Sequence, residues 1–313
     1  VQTPRDVLTP DALSMLQSVA DAGSFAAAAR QLGLVPSAVT YRVRQIEDAL
    51  DVLLFDRGSR QSRLTAAGAE LLREGGRLLL EIDAVANRVK RVATGWEPQF
   101  TVAVDSVISL PIVMELVHAF YGLNPPTRLR LRDETLSGTL EALASGQADL
   151  ALGVSIEPDA LVGVQVRPLG ELEFVYAVAP GHPLASAAEP LTDDVLYRHR
   201  AVAAADSVAR GSGLTVGLMA GQDVLTVPTM QAKLQAQLRG LGGGFVPEPM
   251  ARSHVAAGRL VIKEVARPNR LARLNYAWRS GGLRPGRALQ WWLQQLESAT
   301  TREALLHRHE VPW

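Results

Sequence analysis

From Thr65 onward, Leu71, Leu78, Ile82, Val85, Val89 and Val92, with Gly75 filling the gap, recur at alternating steps of four and three residues. That is a heptad seam, and over about three heptads it specifies a helix of roughly 28 residues and ~42 Å. A small domain of the same chain cannot cover so long a stripe. A lone surface helix would leave it wet, whereas a second chain would bury it, so the seam predicts a dimer.

The seam divides two unlike halves. Before it the chain reads as helical; after Gly95 short β-rich runs alternate with helical ones. Gly95-Trp96-Glu97-Pro98 joins a helix stopper to a proline just before the β-branched and apolar run Phe100 to Val104, which marks a new domain. With 313 residues, 47% of them hydrophobic, the chain can fill two or three cores. Lys+Arg and Asp+Glu both total 32, which excludes a histone-like polycation yet leaves room for a local nucleic-acid site. No cysteine and six histidines leave neither disulfides nor material for a metal cage, and no cofactor is expected. No run reaches the ~18 apolar residues of a membrane span, and Val1 to Pro10 is polar. The expectation is a soluble, cytoplasmic protein with no membrane partner.

In the first half, Thr9-Pro10 starts a helix with Leu13, Leu16 and Ala20 on one face. Ser24 caps the next, whose small-residue stripe of Phe25, Ala28, Ala29 and Leu32 admits close packing and which ends at Gly33. Pro36 opens a third helix with Val39, Val43, Ile46 and Leu50 inward and Ser37, Thr40, Tyr41 and Arg44 outward. Two short helices around a tight turn, the second apolar inside and polar outside, make a helix-turn-helix. Any compact three-helix domain needs the same stripes, so periodicity alone leaves DNA binding and plain packing both open. Arg57, Gly58, Ser59, Arg60 and Arg63 then form a basic loop, either a wing against phosphates and minor groove or a solvated turn.

The run Ser24 to Leu32, then Ser37-Ala38-Val39-Thr40, Ile46-Glu47, Leu53 to Arg57 and Leu64 to Gly68 resembles the amino-terminal signature of LysR-type transcriptional regulators. Gly146 to Ala151, His182 to Ala185 and Gly240 to Pro247 extend the likeness over essentially the whole chain. The resemblance implies an α/β multidomain protein: a winged helix-turn-helix over 1–64, a dimerisation helix over 65–95 and an effector domain over 96–313. That last part is expected to be two-lobed and like type 2 periplasmic binding proteins, with lobe I at 96–172 and 272–313 and lobe II at 173–271. By position, Pro36, Ser37, Thr40 and Tyr41 become base-reading candidates and Arg60 the wing contact; Ser24, Arg42, Arg44, Arg57 and Arg63 complete the expected DNA set. The implied partners are double-stranded promoter DNA, a small-molecule effector and further copies of the chain as homodimer or homotetramer, with RNA polymerase beside them. The family often has Ser-Gln-Pro where this chain has Val35-Pro36-Ser37, and Arg-Gln where it has Tyr41-Arg42. The missing glutamine removes a bidentate adenine reader, so relatives' operator sequences do not transfer.

In the second half Phe100-Val104, Leu129-Leu131, Leu150-Leu152 and Val164-Val166 are expected strands, with helices over Leu110 to Tyr121 and Leu136 to Ser145. Phe174 to Ala179 leads out of the first lobe, Leu271-Trp278 brings the chain back, and Trp291 and Trp292 sit in a closing helix. Two crossings make a hinge, and the cleft between lobes can enclose a small molecule. By resemblance Ser106, Ser109 and Thr229 face that cleft, with Thr135, Val154 and Phe245 as further effector contacts; helix capping is the alternative for each hydroxyl. Arg128, Arg130 and Arg132 are expected along a strand's wet face.

Three motifs carry no chemistry. Gly240 to Gly244 follows a helix and enters a strand, the reverse of a dinucleotide loop, so it reads as a helix-ending turn. Gly211-Ser212-Gly213 lacks nucleophile-elbow spacing. His307 and His309 point apart on a helix and are expected to be solvated. No catalysis is expected. A bilobal enzyme or a solute-binding protein with a helical assembly head are the competing readings.

Overall fold

A computed structural model describes residues 3–56, 62–155, 163–208, 217–267, 270–280 and 285–309, apart from the side chains of 87, 88, 90 and 91. The chain forms two compact units, Val1–Ala86 and Asn87–Trp313, divided within one helix.

The first unit contains α1 (Pro4–Val7), α2 (Pro10–Ala22), α3 (Phe25–Gln31), α4 (Pro36–Leu50) and the beginning of α5 (Ala66–Thr94). The Thr9 hydroxyl accepts the Ala12 N–H at 3.3 Å, and Gly23, in the left-handed region, ends α2. Ala28 and Ala29 are fully buried, as close packing around α3 requires. The turn α1 was not foreseen; Val7 adds its side chain to the same core. Glu47 is buried, and its carboxylate accepts the N–H groups of Leu54 (2.8 Å) and Phe55 (3.4 Å), anchoring the chain beyond α4. Phe55 and Leu64 then bridge antiparallel, and the Asp56 N–H donates to the Arg63 carbonyl, which closes the base of the expected wing.

Thr65 caps α5, its hydroxyl accepting the Gly68 N–H at 3.0 Å. The seam on α5 requires one correction. Leu71 packs on the first unit's own core, and a Cβ on Gly75 would stand 2.8 Å from a Leu13 methyl, so both positions are used within the chain. The open stripe begins at Leu78, and Leu78, Ile82, Val85, Val89 and Val92 are between 47% and 75% exposed.

The second unit runs β1 (Gln99–Asp105), α6 (Leu110–Tyr121), β2 (Arg128–Glu134), α7 (Gly138–Ala144), β3 (Leu150–Val154) and β4 (Val164–Val178). It continues through α8 (Asp193–Tyr197), β5 (Ala201–Ala204), β6 (Val224–Val227), α9 (Met230–Leu238), β7 (Gly244–Pro247) and α10 (Glu248–Ala256). β8 (Val261–Lys263), β9 (Arg270–Arg279), α11 (Arg287–Glu297) and α12 (Ala299–His307) follow. The large sheet has the order β2-β1-β3-β9-β4-β7, with β8 also on β4. β5 and β6 pair in parallel, and Ala201 of β5 bridges Gly243 beside β7.

Strands β4 and β9 pass through both lobes. The expected separate strands at Val164-Val166 and Phe174-Ala179 are one, because the register shift between Pro168 and Gly170 absorbs both turn-forming residues without breaking the pairing. Arg128 and Arg130 lie exposed on the edge strand β2 as expected, while Arg132 pairs with Glu134 at 2.8 Å. Gly240 follows α9 in the left-handed region, the expected helix-ending turn; 211–213 lie outside the described residues. Glu97, from the boundary segment, is buried and accepts the Ala288 N–H at 3.0 Å, capping α11 from far along the chain. Trp292 of α11 stacks on Phe100 in the main core. His309 departs from expectation: its Nε2 lies 3.0 Å from the Leu306 carbonyl, and burial lowers its pKa.

At the end of β1 the buried Asp105 accepts the Val107 and Leu136 N–H groups, each at 2.9 Å, holding the β2–α7 turn. Burial, with the Asp133 and Asp206 charges adding, pushes its carboxyl from 3.8 up to about 7 against those two amide hydrogen bonds. Between these values the folded chain holds a proton that the unfolded chain has released, so Asp105's contribution to stability, complete below about pH 4, falls away as pH rises to 7. Denaturant titrations should therefore show a lower midpoint at pH 8 than at pH 5, and Asp105→Asn should flatten that difference.

Candidate DNA-binding and effector sites

On α4 the sequence places apolar residues at helical spacing, and burying Val39, Val43 and Ile46 turns the opposite face outward. Pro36, Ser37, Tyr41, Arg42 and Arg44 are exposed there and Thr40 is half-buried. Val35 sits at the cap position without a side-chain bond, and Pro36 presets the first turn. The Thr40 hydroxyl donates to the Pro36 carbonyl at 3.0 Å and the Tyr41 hydroxyl accepts from Gln45 at 3.1 Å. Ser24 stands at the start of α3, half-buried and with no capping bond of its own. Arg63 is exposed at the wing's base; Arg57 and Arg60 lie outside the described residues. A helix start with exposed hydroxyls, a phenol and two guanidiniums can meet phosphates and major-groove base edges.

In the second unit the ends of β1, β2, β5 and β6 meet between the lobes. Ser106 Oγ accepts the Met230 N–H from the other lobe at 3.3 Å. Thr135 Oγ1 lies 3.3 Å from Ser106 Oγ and 3.2 Å from the Pro228 carbonyl. Thr229 caps α9, accepting the Ala232 N–H at 3.1 Å. Two further contacts cross the seam: Ser207 donates to Glu134 at 2.7 Å and Ser137 to Asp206 at 2.5 Å.

Ser106, Thr135 and Thr229 are thus brought together. Three other effector candidates are placed elsewhere. Ser109 is fully buried, donating to the Arg308 carbonyl and accepting the Ile112 N–H, so its hydroxyl is spent on structure as the capping alternative held. Val154 is buried against Ala151 and Leu143, because every residue of β3 faces covered sheet. Phe245 packs edge-to-face on Tyr176 at 5.4 Å, on the opposite face of β7 from Gly244 and α9. Asp105, Asp206 and Ser207 were missed. The first directly follows the strand that Phe100-Val104 announced; the other two follow β5, whose Ala201–Ala204 is too short and small-residue-rich to read as a strand.

Among the described residues no group of three His, Asp or Glu could hold a metal, and no helix is long and apolar enough to cross a membrane.

Residues 93–301 match the LysR substrate binding domain, and residues 10–69 match the bacterial regulatory helix-turn-helix protein of the lysR family. Over 292 residues the chain is 35% identical to the HTH-type transcriptional regulator YhaJ of Escherichia coli O157:H7, covering 92% of this chain and 96% of that one. Over 302 residues it is 31% identical to the HTH-type transcriptional regulator PunR of Escherichia coli (strain K12), covering 96% and 97%. Its fold is similar to that of full-length CbnR solved with its target DNA, at TM-score 0.60 and 19% identity, covering 93% of this chain and 99% of that one. Neither a bilobal enzyme nor a solute-binding protein fits that set. The chain belongs to the LysR family: it is a DNA-binding transcriptional regulator with a helix-turn-helix head and an effector-binding domain, not an enzyme.

Proposed function

We propose that two copies of the chain join along Leu78, Ile82, Val85, Val89 and Val92 and present two α4 faces to promoter DNA, while a small organic effector held at Ser106, Thr135 and Thr229 biases their spacing. The observation that carries this reading is the outward face of α4, where Ser37, Tyr41, Arg42 and Arg44 are all exposed. The open stripe on α5 supports the pairing. Burying each such side chain contributes about 1.5–3 kcal/mol when complete, which a single chain forgoes. Paired dimers make a tetramer, the setting is the cytoplasm, and RNA polymerase is the further partner. Ser24, Arg57, Arg60 and Arg63 complete the DNA contacts, with the wing arginines on phosphates or in the minor groove.

Arg42→Ala should weaken binding to promoter fragments by about tenfold and lessen the salt slope by about one, measured by fluorescence anisotropy across salt concentrations. Unchanged affinity and slope would remove Arg42 from the interface. Ile82→Glu should shift the chain to monomers in sedimentation and cost still more DNA affinity, since two readers then no longer bind as one. For the effector, Ser106→Val should abolish the effector's influence on DNA binding while effector-free binding persists; equal loss of both would indicate misfolding instead.

A further inference from the structure

Lys233 stands one turn into α9, the nine-residue helix that Thr229 caps and whose first N–H, that of Met230, donates to Ser106. It is only 7% exposed, and among the described residues no carboxylate pairs with it. An unpaired ammonium is among the most costly groups to bury, and a helix of this kind has no structural need of one: Met or Leu would fill the space. Its chain crosses the bare backbone of Gly244, where a Cβ would stand 3.1 Å from Lys233 Cε and 3.3 Å from Nζ. Helical side chains lean toward the N-terminus of their helix, here the end bonded to Ser106. Burial first, and then the charge of Arg270 at the start of β9, pull the ammonium down to about 8. The Arg270 charge and the positive end of the α9 dipole both act on the Lys233 ammonium, which has no carboxylate of its own among the described residues to offset them.

Resting on the reading of the cleft as the effector site, we propose that Lys233 is the counter-charge for an anionic effector, a small organic carboxylate whose head sits at the start of α9 beside Ser106 and Thr229. The carboxylate would supply the missing negative charge, accept from the ammonium and from hydroxyls that can rotate toward it, and draw the lobes together around itself. The same chemistry would accommodate a phosphate, which the test separates.

The test is thermal unfolding of the full chain with matched pairs of acid and neutral amide at constant ionic strength: acetate and acetamide, benzoate and benzamide, succinate and succinamide, with inorganic phosphate alongside. At least one carboxylate should raise Tm by about 3–6 °C at tenfold over its dissociation constant, while its amide does not. Lys233→Met should abolish that difference and leave the ligand-free Tm equal or higher, because a buried unpaired charge has gone. The proposal is overturned if amides act as well as acids, if phosphate alone acts, if nothing in the series gives a charge-dependent shift, or if Lys233→Met keeps the acid response. A ligand-free Tm lowered by Lys233→Met as much as by a core truncation would make the lysine structural and overturn it too. Ser106→Val separates the two readings. Loss of binding by acids and amides alike in that variant keeps the cleft and rejects the anion; acid binding indifferent to Ser106→Val rejects the cleft itself.

Discussion

Ten register pairs between β4 and β9 hold the second unit together. Every other strand of the large sheet attaches to one of these two, directly or through β3 and β1: β7 and β8 to the far half of β4, β3 to the far half of β9. Long antiparallel strands resist stretching but twist, so a pair shared by two lobes lets them rotate without separating. The hydroxyls that meet across the seam are therefore carried by lobes that share one continuous strand pair.

Buried carboxylates do comparable joining work where no strand can. Glu47 gathers two amides beyond α4 and so anchors Leu54 and Phe55; Glu97 gathers the first amides of α11, joining the boundary segment to the last helices. Gly286 is required for the second arrangement, since a Cβ there would stand 2.3 Å from the Glu97 carboxyl carbon. Charge-assisted bonds of this kind hold well only when both partners are shielded, and both glutamates are buried.

Much of this is legible in the sequence. Helix caps at Thr9 and Thr65, the stripe on α4, the limits of α6 and the two chain crossings between the lobes all follow from local chemistry: hydroxyls, prolines and apolar spacing act within a few residues of themselves. What failed to show depends on partners distant in the chain. Pro168 and Gly170 look like breakers until β9 is laid beside them. Ser109 looks like a ligand hydroxyl until the Arg308 carbonyl arrives to occupy it. Leu71 belongs to the heptad by spacing, and only the packing of the first unit's core shows that its own chain has claimed it.

The seam between the lobes has a consequence for discrimination. Ser106, Thr135 and Ser207 already have internal partners, so a molecule entering there displaces bonds of equal quality and gains little from hydroxyls of its own. Compounds differing only in polar decoration should thus be told apart poorly. On the reading proposed above, a ligand that loosened these bonds would have to make up for them by contacts other than hydroxyl for hydroxyl, beside the carboxylates of Glu134 and Asp206 that already lie at the seam.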